Sequence, residues 1–239
     1  MMKKMRRLLI SVLLVTVTVL AAGAQVERHE IKVGNFTRLA VMDDINVNYR
    51  CNADSAGLAV LTCSQEIIQH LIFNLSNKGR LSIQVDDEYE RRGHLPTITI
   101  YSASLEEAEN DGDSTLRVTG LPPMKDFKVR LTDNGKVIVR NVRASQLELQ
   151  ILSGKGKIIA SGECDHLNLR LIGTGEIQAD QVEATEVSCR IVGTGTLGCK
   201  VNGGPLKVSG SGTGKVYYKG KPSKVTVHKL GTIKAIPME

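Results

Sequence analysis

From Asp113 to the C-terminus, aliphatic and polar residues alternate in short runs that recur about every twenty residues. One set of runs reads Leu116-Arg117-Val118, Val137-Ile138-Val139, Ile158-Ile159-Ala160, Ile177-Gln178-Ala179, Leu197-Gly198-Cys199 and Val216-Tyr217-Tyr218. A second set begins at Phe127, Leu147, Leu167, Val187, Leu206 and Val225. Period-two alternation predicts strands with one inward and one outward face. A fixed repeat of this length predicts a solenoid, because a single repeat cannot bury its own apolar face. Stacked roughly 4.8 Å apart, the coils place aliphatic on aliphatic and polar on polar.

Glycine-rich turns punctuate the repeats: Ser153-Gly154-Lys155-Gly156, Ile172-Gly173-Thr174-Gly175, Val192-Gly193-Thr194-Gly195 and Ser211-Gly212-Thr213-Gly214. Leu230-Gly231-Thr232 closes the series, and the first glycines stand 19, 20, 19 and 19 residues apart. Such corners need residues that accept positive φ without penalty. Residues 25–110 also alternate, at Ile45-Asn46-Val47-Asn48-Tyr49, Leu81-Ser82-Ile83-Gln84-Val85 and Thr97-Ile98-Thr99-Ile100-Tyr101, but without a fixed period. Three segments follow: a leader at 1–24, an N-terminal β region at 25–110 serving as cap or early coils, and β-helix repeats at 111–239.

The leader changes the charge picture. Lys3, Lys4, Arg6 and Arg7 precede an uncharged apolar run at residues 8–20, and Ala22-Gly23-Ala24 supplies small residues for a signal peptidase. The run is too short for the roughly 20 residues that span a bilayer. Export to the periplasm, cell surface or medium is expected, with no membrane span after cleavage. Removing four cations from 31 leaves 27 against 25 acids, so the basic balance of the whole chain gives no support to nucleic-acid binding. Three Phe, five Tyr and no Trp leave few stacking platforms for bases or sugars.

Most chemistry-bearing motifs dissolve on inspection. Gly193-Thr194-Gly195-Thr196-Leu197-Gly198 fits a dinucleotide pattern, yet a strand follows where the phosphate would need a helix N-terminus. The positions after the paired glycines are Lys157, Glu176, Thr196 and Lys215, unsuited to calcium. Cys164-Asp165-His166 reads as a polar turn, and no cofactor, metal or catalytic site is expected. Five cysteines are an odd number for an exported chain. Cys189 and Cys199 read as small core residues, while Cys51 and Cys63 flank a loop and are a candidate pair.

Val33-Gly34-Asn35-Phe36, Gly79-Arg80-Leu81-Ser82-Ile83, the serial glycine turns and Gly204-Pro205-Leu206 through Pro222 together resemble the family of the putative auto-transporter adhesin, head GIN domain. The resemblance covers residues 33–236. It implies an all-β, right-handed parallel β-helix with coils of about 19–21 residues, in an exported envelope protein, and brings no catalytic residues. The turns at Asp133-Asn134-Gly135 and around Gly112 are weaker than the family pattern, so irregular coils are expected there.

Two outward columns remain as candidate sites. Arg130, Gln150, Arg170 and Arg190 share one register, continued by Ser209 and His228, and suit a carboxylate or sulfate. Ile138, Ile159 and Tyr217 are apolar at outward positions, a candidate interface with the N-terminal half or a second copy. The function expected is a non-enzymatic, adhesin-like surface module whose partner is a glycan or a protein. The competing expectation is a carbohydrate-active β-helix enzyme, ranked lower because the outward faces show only isolated acids.

Overall fold

In the computed structural model, which describes residues 26–86, 89 and 95–238, nearly all regular structure is strand, paired mostly in parallel. The leader lies outside the described residues, as do residues 87, 88 and 90–94. The first half supplies β1 (Glu27–Lys32), β2 (Arg38–Met42), β3 (Val47–Cys51), β4 (Leu58–Cys63), α1 (Gln65–His70), β5 (Leu71–Leu75), β6 (Arg80–Val85) and β7 (Ile98–Ser102). After β8 (Glu107–Asp111), β9 (Thr115–Thr119) and β10 (Met124–Thr132) come the long strands β11 (Lys136–Ile151), β12 (Lys157–Gly173) and β13 (Glu176–Gly193). The chain closes with β14 (Thr196–Asn202), β15 (Pro205–Gly212), β16 (Lys215–Lys221), β17 (Lys224–Gly231) and β18 (Lys234–Pro237).

The fold is a β-solenoid. Its interior is a set of vertical files, one of which runs Leu81, Leu39, Ala108, Val129, Leu149, Leu169, Cys189, Val208 and Val227. All but the last are buried. In β11 the buried positions are Val137, Val139, Val142, Ala144, Leu147, Leu149 and Ile151, and β13 repeats the spacing from Ile177 to Ile191. Steps of two hold a face, and the two steps of three turn the chain through a corner. Each full coil therefore has three faces. The residues between the two sets of runs form a short third face, with Ala144, Cys164, Ala184 and Val201 in register.

Coils in the N-terminal half do not stack in chain order. The coil of β2 and β3 lies between that of β6 and β7 on one side and that of β8 and β9 on the other. Antiparallel β5 on β6, and β4 on β7 with β1 beyond it, cover the outer edge. One hydrophobic core runs from Val33 to Ile233.

Turns that looked degenerate are well built. Asp44 Oδ1 accepts Asp113 N at 2.8 Å, Asp113 Oδ1 accepts Asn134 N at 3.2 Å, and Asn134 Oδ1 accepts Lys155 N at 3.2 Å. These side chains supply what the later corners obtain from backbone alone, as in Thr194 N to Gly173 O at 3.1 Å. The irregular coils expected at Gly112 and Gly135 are accordingly in full register. Within each later turn the glycines differ in role. Gly173 and Gly193 have φ of 114° and 130°, the positive values expected. Gly175 and Gly195 are required instead because a Cβ would press on the coil below.

Two ion pairs tie the last coils to β13: Lys200 with Glu183, and Lys219 Nζ with Asp180 Oδ2 at 2.8 Å. Partial burial raises the Asp180 carboxyl, but hydrogen bonds from Lys219 and Gln181 outweigh it and hold it below the usual carboxylate range. That stabilisation is present above the ordinary carboxylate pKa and is lost as pH falls through the lower folded value. Lys219→Met is expected to lower the unfolding free energy measured in urea at neutral pH, by up to about 1 kcal/mol for a pair this open, and to leave it unchanged in strong acid.

Candidate functional site

Outward residues two apart on the same strand form parallel files along the solenoid axis. Arg130, Gln150, Arg170, Arg190, Ser209 and His228 are in register, as the alternation predicts. The column is not uniform. Arg130 Nη1 meets Glu107 Oε1 at 2.6 Å. Gln150 is on the outward side but buried, with its Nε2 donating to Glu148. Arg170 and Arg190 are exposed on adjacent rungs, and neither has a carboxylate partner among the described residues.

Beside this column runs a file that sequence reading passes over: Lys128, Glu148, Asn168, Ser188 and Lys207. Its four strand spacings amount to roughly 20 Å. The lip formed by Pro122, Pro123, Met124 and Asp126 stands over one end, enclosing a cleft of about 740 Å³ that reaches Asn168. A smaller cavity of about 270 Å³ continues from Asn168 past Ser188 to Lys207. The two make one trough along the coils. Lys128 and Glu148 pair at 2.8 Å at its covered end, and at the other end Lys207 lines it together with Glu186, which His166 Nδ1 approaches at 3.5 Å; Arg170 and Arg190 flank the trough and add positive charge beside it. On the far side of the arginines, Ile172 and Val192 stack outward, Val192 being exposed. The same period-two register that revealed the arginines also marks this file; its polar, uncharged members carry no chemical flag of their own.

The apolar column is interrupted. Ile138 and Ile159 are adjacent, but Gln178 and Gly198 separate them from Tyr217, and all three are half-buried. Acids are less isolated than expected, since Glu163 and Glu183 occupy neighbouring rungs of the short face. Each has a cation, Arg143 Nε at 3.2 Å from Glu163 and Lys200 on Glu183. The hydrogen bond from Lys200 holds the Glu183 carboxyl below its usual range, against the need of a general acid.

The remaining motifs are structural. Cys164 points inward, its thiol pushed up to about 12 by burial and by the Asp165 charge, while Asp165 and His166 are exposed. Among the described residues no three His, Cys, Asp or Glu groups could hold a metal ion. Cys51 and Cys63 are not bonded to each other, and Cys51 Sγ donates to Ala103 O at 3.2 Å. Cys189 and Cys199 are fully buried, as read, and the Cys189 thiol is held up by its hydrogen bond to Cys199 and by burial. β14 follows Gly193 and Gly195, so the glycines make a corner and not a phosphate loop.

The class of protein defined so far is a parallel β-solenoid with a polar trough on one flank. The chain belongs to the family described as putative auto-transporter adhesin, head GIN domain, which matches residues 35–222. Its structure is similar to that of a putative adhesin from Bacteroides fragilis NCTC 9343, at TM-score 0.81 and 19% identity over 90% of this chain and 98% of that one. It is also similar to a putative lipid binding protein from Parabacteroides distasonis ATCC 8503, at TM-score 0.71 and 18% identity over 90% and 97%. A putative adhesin from Parabacteroides merdae ATCC 43184 gives 0.70 and 17% over 90% and 97%. No curated protein matches the chain. Among the described residues no helix is long and apolar enough to cross a membrane.

Proposed function

We propose that this protein is a non-catalytic, exported surface module that binds an extended anionic glycan along the trough. The observation that carries this reading is the pair Arg170 and Arg190, exposed, in register and without carboxylate partners among the described residues, flanking a polar groove several rungs long. Guanidinium forks on adjacent rungs suit carboxylate or sulfate groups repeated along a polymer. Asn168 and Ser188 add neutral hydrogen-bonding groups, and Ile172 and Val192 offer apolar surface to a ring face. Family membership supports an adhesin-like role.

Replacing both arginines by serine is expected to weaken retention of uronate or sulfated oligosaccharides on a glycan array on the order of a hundredfold, given charged hydrogen bonds of about 1.5–3 kcal/mol each. Neutral glycans should be unaffected. Undiminished retention of the acidic glycans by the double variant would dispose of the trough as their site. The adjacent carboxylates Glu163 and Glu183 are what a carbohydrate-active enzyme would use. Both are held by cations, so neither is set up as proton donor; turnover of a polyuronate by the purified chain would reverse this ranking.

A further inference from the structure

After Glu186 the next Asp or Glu in the chain is Glu239. Between residues 187 and 238 the chain carries nine Lys or Arg and no Asp or Glu. Stacking gathers these cations around the last coils: Lys215 lies in register with Lys234, Lys200 with Lys219, and Asn202 with Lys221. Lys207 and Lys224 flank another face. Among the described residues two of them reach carboxylates, Lys200 with Glu183 and Lys219 with Asp180, both in β13. Lys229 Nζ donates to Ile233 O at 2.9 Å. Arg190, Lys207, Lys215, Lys221, Lys224 and Lys234 have no carboxylate partner among the described residues.

Among the described residues the interior ladder reaches its last rung here. Val225 and Val227 sit in register with buried Leu206 and Val208, yet are 39% and 38% exposed because no described rung covers them. Leu230, beside them, is 77% exposed. The last coil thus presents an aliphatic centre inside a cationic rim that spans more than one face. Like charge opposes pairing of this end with the same end of a second copy. A flat surface with negative charge at its level and apolar matter just beneath complements it, and that is an anionic lipid bilayer.

We propose that the C-terminal end of the solenoid docks end-on against an anionic bilayer, with Lys215, Lys221, Lys224 and Lys234 meeting headgroup phosphates and Leu230 entering the acyl boundary. The proposal is independent of the trough.

Flotation with lipid vesicles tests it, using the chain from Gln25 onward, which holds every residue of the described fold. The protein is expected to float with phosphatidylcholine vesicles containing phosphatidylglycerol and not with phosphatidylcholine alone. Lys224→Gln with Lys234→Gln should weaken partitioning roughly thirtyfold, from about 1 kcal/mol per lysine near a charged surface. Leu230→Ser should weaken it too. Lys136→Gln with Lys155→Gln, exposed lysines of earlier coils, should not, and neither should Arg170→Ser, which separates this test from that of the trough. Equal loss in the Lys136 and Lys155 control, or no loss on removing Lys224, Lys234 and Leu230, overturns the docking. Binding of dextran sulfate without vesicle binding overturns it as well, and makes the end a site for soluble polyanions.

Discussion

A valine in place of Gly195 is expected to unfold the C-terminal coils, costing about 4 kcal/mol or more, the range reserved for changes that a core cannot absorb. A Cβ at this position would lie 2.5 Å from Gly175 O and 2.6 Å from Leu171 Cδ2. Neither neighbour can retreat cheaply. Gly175 O already accepts Thr196 N at 3.1 Å, and Leu171 is a fully buried member of an inward file. Moving one corner would break registers above and below it, since each coil is the template for the next. Urea unfolding of three variants checks the cause. At Gly198 a Cβ meets nothing nearer than 3.8 Å, so Gly198→Ala should be neutral or slightly stabilising. Gly203 has open space around it but a φ of +86°, so Gly203→Ala should cost about 1 kcal/mol of backbone strain alone. A Gly195→Val protein as stable as the Gly198→Ala protein would mean that the coils are not locked at their corners.

Leu39→Ala should cost about 3 kcal/mol, the typical result of emptying a well-packed aliphatic site. Leu39 is 1% exposed and lies between Leu81 and Ala108, which come from coils on opposite sides of its own. A void there loosens the interleaved part of the stack at its centre. Val227→Ala, in the same file but on the last rung, should cost less than about 1 kcal/mol, because that side chain is already partly in water. Comparing the two by denaturant titration measures how the value of one file position falls from the middle of the rod to its end. Equal costs would show that the N-terminal coils do not share the continuous core described above.

Much of the candidate site could be read from the chain. The register of Arg170 over Arg190 follows from period-two alternation on a fixed repeat, and the structure reproduces it residue for residue. What could not be read was which members of that column are available. Arg130 is taken by Glu107 from β8, and Gln150 by Glu148 two residues away. The lip over the trough, Pro122 to Asp126, looks in sequence like any connection. The pairing of Glu163 with Glu183 was hidden for another reason: it lies on the short face, where two steps of three break the alternation.

By itself the sequence determined the inward ladder, the coil length and the positions of the corners, because burial on a strand leaves a mark at every second residue and identical coils repeat it. Tertiary structure decided the three-faced cross-section, the stacking of the β2–β3 coil between two others, and the partners of each outward charge. Those depend on which edges meet in space, and an alternating strand carries the same pattern whichever neighbour it finds.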